Sequence, residues 1–453
     1  MRQLIIAALC GILTAGAGAT PEDTYTPPSG KLLKMVVVSR HGVRSPLQSN
    51  EALAAWTAGR EWPQWPTRRP GMLTDRGAEL AALMGGYYRA HAAQQGLLPS
   101  GRCPAAHAVF IRADVDERTV ATAHALARGF APECQLEVRS AAASPDPLFH
   151  PTKAQVCAID AKKAAQAILV RLPDGFAGLD RRHRAALATM QELLQCCRPD
   201  ICQRGDADAC CRASACANSG ATGGTCTLTD IPTGLTAGAA GPRMCGAIGI
   251  GSTAAEIFLL EYAQGMREPD VAWGALSGAR LSKLQSALTL HNTQFDLMER
   301  TPYLAARQGS MLLRAVLNTL QGDAASGLSG GPLPPGDAAI AVFVGHDTNL
   351  ANLGAMMETA WSASAQVPDQ TAPASALVFE LRLQAGGTRD VYVYYQAQSL
   401  AQMRNKTRLT AAQPPVRQSL RLARCSRPEP GAPCDLTKFG AAIRHALEPD
   451  CLR

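Results

Sequence analysis

The chain has 453 residues, a formal net charge of +7 and 47% hydrophobic residues, ample for one large or two ordinary domains with cores of their own. Its cationic excess is mostly arginine, with no Lys/Arg run and no interleaved aromatics, which argues against a nucleic-acid partner. After the N-terminus no stretch approaches the roughly 20 apolar residues a bilayer needs, so no membrane span is expected.

In chain order, Arg2 precedes an apolar run over residues 4–13, and Ala17-Gly18-Ala19 supplies an A-x-A pattern. Residues 1–19 therefore read as a secretory signal cut after Ala19, which predicts a periplasmic or secreted protein. Cys10 raises a lipid-anchored alternative, but Leu9 stands where such a site wants a small residue. Without Cys10, fourteen of the fifteen cysteines remain. Export favours disulfides over metal thiolates, and no C-x-x-C spacing argues for zinc.

Met35-Val36-Val37-Val38 is continuous and β-branched, with no polar alternation. It reads as a strand buried on both faces, hence parallel sheet, and it runs into Arg40-His41-Gly42. Val109-Phe110-Ile111 leads to Asp114 and Asp116, with a helix expected over 117–130. Helical patterns then recur at 161–172, 184–194, 254–264 and 281–295 without a convincing strand, around a Cys/Gly/Thr/Ala-rich stretch at 196–246. This predicts a helical domain, 157–297, with a disulfide-stapled loop, inserted into an α/β core made of 20–156 and 298–453. Ile340-Ala341-Val342-Phe343-Val344 ends at Gly345-His346-Asp347, with helix from Asn349 onward, and runs at 377–383 and 391–395 flank Gly386-Gly387 as a hairpin. Three strands thus stop at polar clusters, and in open α/β sheets sites lie beyond the carboxyl ends of the strands.

Arg40-His41-Gly42-Val43-Arg44 sets an imidazole between two permanent cations, a setting suited to a phosphate dianion. Gly42 lets the backbone approach closely. A neutral imidazole there can attack phosphorus in line, and water can then hydrolyse the phosphohistidine. Asp347 is the candidate general acid for the leaving alcohol, and His346 can bond a phosphate oxygen. The bland alternatives are surface arginines around a strand-end histidine and an Asp that merely begins a helix; two clusters on separate strands count against both. An ordinary carboxyl pKa of about 4, lowered by arginines, places activity at acid pH.

On these residues, together with Leu73-Thr74-Asp75-Arg76-Gly77 and Asp114-Val115-Asp116-Glu117-Arg118-Thr119, the chain resembles the histidine acid phosphatases and their bacterial phytase branch, from about Leu33 to the C-terminus. The resemblance implies a mixed, mainly parallel α/β sheet flanked by helices (phosphoglycerate mutase-like) with a smaller inserted helical domain. It also implies a metal-independent site without cofactor in the crevice between them. His41 would be the nucleophile, Asp347 the proton donor, and Arg40, Arg44, Arg118 and His346 the phosphate pocket, with Thr348 grouped among them. Arg118 would sit in the first turn of a helix, whose N–H groups also attract anions. Glu256 aligns with a carboxylate near the cleft, placed to contact ligand hydroxyls or cations. His291 reads as a satisfied interior histidine, and the remaining histidines carry no pattern. The implied disulfides are Cys103 with Cys134, Cys157 with Cys451, and Cys425 with Cys434. Eight further cysteines at 196–245 exceed the family pattern and read as structural disulfides of undeducible connectivity.

The expectation is a monomeric, exported acid phosphomonoesterase whose partner is a small phosphate monoester, phytate first. One departure bears on substrate. After Arg44 the phytase pattern continues Thr-Lys, whereas this chain has Ser45-Pro46-Leu47-Gln48, a change shared with glucose-1-phosphatases. Those show His-Asp-Ser in place of His346-Asp347-Thr348. A glucose-1-phosphatase or broad-specificity acid phosphatase is the alternative; a mutase is opposed by export and the late His-Asp pair, and a non-catalytic anion binder by intact His41 and Asp347. The basic mouth phytate needs is sought in Lys31, Arg68, Arg69 and Arg118.

Overall fold

The computed structural model describes residues 25–203, 210, 226–238, 241–276, 281–323, 331–363, 366–425, 429 and 431–452. The expected signal at 1–19, with Cys10, and the cysteines 211 and 216 lie outside the described residues. The strands are β1 (Lys31–Arg40), β2 (Val109–Ala113), β3 (Val138–Arg139), β4 (Gly234–Thr236), β5 (Arg243–Cys245), β6 (Ile340–Gly345), β7 (Ala376–Leu383), β8 (Arg389–Ala397), β9 (Val416–Ser419) and β10 (Cys434–Asp435). Eight of them form one mixed sheet in the order β10-β8-β7-β1-β6-β2-β3, with β9 beside β8. β1, β2, β3, β6 and β8 run one way; β7, β9 and β10 run the other. The hairpin expected at 377–395 is β7–β8, and the short strands β9 and β10 pair outside it.

Burial on both faces explains the uniform apolar run of β1. Met35 and Val37 join a cluster with Ala81, Met84, Ala123 and Leu126 from helices Asp75–Gln94 and Glu117–Phe130. Val36 and Val38 join the opposite cluster, with Leu312 and Leu350 from helices Pro302–Gln321 and Asp347–Met356. Each such side chain contributes about 1.5–3 kcal/mol when removed from water. Register then aligns the strand ends. Arg40 pairs with Gly345 and Ala113 with Val344. The His41 N–H donates to the Gly345 carbonyl and the Asp114 N–H to the Val344 carbonyl, each at 2.9 Å.

Helices Ala161–Val170, Gly175–Arg182, Arg184–Leu194, Gly246–Gln264 and Leu281–Met298 gather around a core of their own. Two expectations are corrected there. Helix Gly246–Gln264 begins well before residue 254, because its early glycines serve close packing: a Cβ on Gly251 would lie 2.6 Å from Leu290 Cδ1. The region also holds strands, the β4–β5 hairpin, whose three-residue ladder is too short to show as a pattern. Cys103–Cys134, Cys157–Cys451 and Cys425–Cys434 are bonded as expected. Cys196–Cys197 and Cys210–Cys245 pair within the cysteine-rich stretch, and Cys202 and Cys226 are disulfide-bonded too.

Glu261, fully buried in the last turn of helix Gly246–Gln264, accepts the Ala272 N–H at 2.9 Å and holds a tight loop in which Ala272 and Trp273 are left-handed (φ 44° and 54°). Burial pushes its carboxyl up to about 8. A folded pKa above the unfolded value of about 4.3 means full stability below that value and loss as pH rises through 8. Glu261→Gln should match wild type near pH 4 and become roughly 2–4 kcal/mol more stable by pH 8 in urea unfolding. Parallel pH dependences for the two proteins would refute the assignment.

Candidate active site

Arg40 closes β1 with a side chain that has no exposure. Its Nη2 is paired with Glu256 Oε1 and lies 3.0 Å from Asp347 Oδ2, while Nη1 donates to the Thr371 carbonyl. Glu256 is therefore not a helix-surface group: it is buried on helix Gly246–Gln264, neutralises Arg40, and lies 3.8 Å from Arg44 Nη2. An unpaired buried cation would cost several kcal/mol, which is why three separate segments converge on this guanidinium.

His41 is 2% exposed, with Nδ1 2.9 Å from the Gly42 carbonyl oxygen. A carbonyl only accepts, so Nδ1 carries the proton and Nε2 keeps its lone pair. Burial first, then Arg40, Arg118 and Arg44, holds the imidazole well below its ordinary pKa, so it stays neutral in acid. Gly42 lets the backbone approach closely, here toward another segment of the chain. A Cβ there would meet the Gly77 carbonyl at 2.8 Å, so its smallness lets two backbones touch, and its N–H donates to Thr122 Oγ1.

Arg44 follows, bridged to Leu73 in the backbone, with burial pushing its pKa down to about 10; it remains a cation in acid and at neutrality. Arg118 lies in the first turn of helix Glu117–Phe130, as expected, with Nη2 2.7 Å from Asp116 Oδ2 and 3.3 Å from His346 Nδ1. His346 caps helix Asp347–Met356. Its N–H donates to Asn349 Oδ1, and its Nε2 lies 2.6 Å from Asp114 Oδ2. The centroids of the His41 and His346 rings are 5.6 Å apart.

Asp347 both begins a helix and faces the site, so the two readings of it are compatible. Burial raises its carboxyl pKa, but the permanent cations, Arg40 foremost and then Arg44, outweigh burial and hold it below the usual range. Thr348 meets the site through its backbone, its N–H donating to Asp347 Oδ1 at 2.9 Å.

Beside Asp347 opens a cavity of about 180 Å³, lined by Arg44, Gln48, Thr253, Glu256 and His291 among others. His291 is not the satisfied interior residue expected. Its Nδ1 meets Ser252 Oγ at 3.1 Å, but its Nε2 and Glu256 Oε2, 3.7 Å apart, have no hydrogen-bond partner among the described residues. A second cavity of about 190 Å³ shares Gln48 and carries Arg68 and Arg69. Lys31 starts the ten-residue strand β1, at the end opposite Arg40, and cannot belong to this mouth.

Among the described residues, one His and carboxylate group has ligand atoms close enough to hold a cation: Asp114, Asp116, His150 and His346, all within 4.8 Å of one another. These side chains already bind one another and Arg118. Both imidazole Nε2 atoms are hydrogen-bonded to Asp114 Oδ2, and Arg118 sits on Asp116. His150, between Phe149 and Pro151, gave no signal in the sequence, having neither periodicity nor a motif.

A model of the histidine phosphatase superfamily (branch 2) matches residues 31–199. Phytase AppA of Escherichia coli (strain K12) is 35% identical over 95% of this chain and 96% of its own length. A glucose-1-phosphatase of Salmonella typhimurium is 27% identical over 99% of this chain and 100% of its own. The structure of a Hafnia alvei phytase in complex with myo-inositol hexakis sulphate superposes with a TM-score of 0.81 at 37% identity, covering 94% of this chain and 100% of that one.

Glu256→Gln removes the carboxylate that offsets Arg40 and Arg44. It should lower stability by about 1–3 kcal/mol while inorganic phosphate, as product inhibitor, binds severalfold tighter. Weaker phosphate binding in this variant would contradict the charge-offset role.

Proposed function

The chain belongs to the histidine phosphatase superfamily, branch 2, as a phytase-like histidine acid phosphatase, and we propose that it releases phosphate from phytate through His41 and Asp347. The observation that carries this reading is the free Nε2 of His41, set among Arg40, Arg44 and Arg118 with Asp347 at hand. In the first step Nε2 attacks phosphorus, the bond to the ester oxygen breaks, and the Asp347 carboxylic acid gives that oxygen its proton. In the second, water attacks phosphohistidine, the Asp347 carboxylate takes the water's proton, and His41 is regenerated. Arg40, Arg44 and Arg118 balance the charge on the equatorial oxygens throughout. His346 can donate to one of those oxygens once Nδ1 is protonated.

Phytate is favoured by Arg68 and Arg69 in the adjoining cavity and by relatives named as phytases. The second reading, a sugar-phosphatase, is favoured by Leu47 and Gln48 lining the cavity beside Asp347 where a hydroxyl and a cation were expected. Residues 20–156 and 298–453 act on this proposal as the catalytic core, with 157–297 the insert that supplies Glu256 and His291. Disulfides support export to an oxidising compartment.

The test is phosphate release at about pH 4.5, near carboxyl pKa values, with EDTA present. Wild type should turn over phytate faster than glucose-1-phosphate; His41→Ala should lose essentially all activity, and Asp347→Asn about 10²–10⁴-fold in kcat. The reverse preference would move the substrate, and full activity in His41→Ala would overturn the mechanism. Because His41 stays neutral in acid, kcat should persist well below the usual histidine pKa of about 6.5. An acid limb centred there would refute the depressed imidazole pKa.

A further inference from the structure

Asp114 follows β2 with no exposure, and its Oδ2 receives two imidazoles, His346 Nε2 at 2.6 Å and His150 Nε2 at 3.0 Å. The two rings lie 4.8 Å apart. Only the first belongs to the phosphate pocket. His150 meets none of Arg40, His41, Arg44 or Arg118 in the hydrogen bonds and ion pairs described, and reaches the site at His346, by ring contact and by their shared bond to the Asp114 carboxylate. The backbone of Asp114 is fixed by its bond to Val344, but that leaves the carboxylate free to turn about its side-chain torsions, and its Oδ1 has no partner among the described residues. A second N–H on Oδ2 removes that freedom. The loop bearing His150 is itself anchored: the His150 N–H donates to the Asp146 carbonyl at 2.8 Å, and Asn349, in the helix that His346 caps, donates from Nδ2 to the Phe149 carbonyl at 2.9 Å.

We propose that His150 is a positioning residue: by donating to Asp114 it fixes the carboxylate that orients His346, and so sets affinity for the phosphoryl group rather than the rate of its transfer. With Nε2 held on Asp114, Nδ1 of His346 is turned to Arg118, where an incoming phosphate oxygen would take the guanidinium's place or share it. A carboxylate free to swing lets that ring swing, and a misplaced donor weakens binding before it touches the attack by His41. The inference rests on the proposed docking of phosphate among Arg40, Arg44, Arg118 and His346.

The experiment measures KM and kcat on p-nitrophenyl phosphate, and Ki for inorganic phosphate, for wild type, His150→Leu, His150→Ala and His150→Gln, with thermal melting of each. Hydrogen bonds to charged groups are worth enough for the Leu and Ala variants to raise KM and Ki about five- to tenfold while kcat changes less than about threefold. His150→Gln, whose amide NH2 reaches about as far as Nε2, should recover most of the loss; a merely space-filling role would favour Leu over Gln. Leu or Ala variants that fold and keep KM and Ki within about twofold of wild type, or a Gln variant as impaired as Leu, would overturn the proposal. Wild-type inactivity, or activity retained in His41→Ala, would instead remove the underlying functional reading, so the two failures are distinguishable.

Discussion

Arg40 is a permanent cation without solvent at the end of a buried strand, and the surrounding structure is built to neutralise it. Glu256 comes from the helical region, Asp347 from the start of the helix after β6, and the Thr371 carbonyl from the loop before β7. Leaving such a charge unpaired would cost several kcal/mol, so these three segments cannot drift apart without penalty. One guanidinium thereby fixes the floor of the site and joins the helical region to the sheet.

The same arrangement governs the proton. Arg40 and its neighbours keep Asp347 ionised in the free protein, the wrong state for a proton donor. On the proposed reading, a phosphate dianion draws the arginines to itself and places negative charge beside Asp347, and both changes favour a protonated carboxyl. His41 experiences the opposite pull, staying neutral because burial and three arginines oppose its protonation. On that reading acid conditions supply the donor without disabling the nucleophile, a division of roles between two groups whose pKa values are shifted by one set of cations.

Sheet register does the remaining placement. Parallel pairing of β1 with β6 and of β6 with β2 brings residues 40–41, 345–346 and 113–114 to one edge, where helices Glu117–Phe130 and Asp347–Met356 begin. A shift of one residue in any of these pairings would turn every side chain to the other face, and the uniform burial of β1 gives no tolerance for it. Gly42 and Gly77, whose backbones touch, hold the turn after β1 against helix Asp75–Gln94.

The sequence by itself determined where β1, β2 and β6 stop, that His41 lies between arginines there, that a helix carrying Arg118 and another from about Asn349 follow, and three of the disulfides through family resemblance. These are local matters: runs of apolar β-branched residues, charge beside a strand end, helix starts. Only the tertiary structure decided that Glu256 neutralises Arg40, that His291 leaves a ring nitrogen toward a cavity, that His150 braces Asp114, and that Lys31 lies at the wrong end of its strand. Partners 36 to 232 residues apart leave no periodicity to read, because ion pairs and shared hydrogen bonds are chosen by which surfaces pack together. Short ladders such as β4–β5, β9 and β10 escaped for a related reason: with two to four residues each, their pairing comes from the neighbour they meet rather than from a pattern of their own.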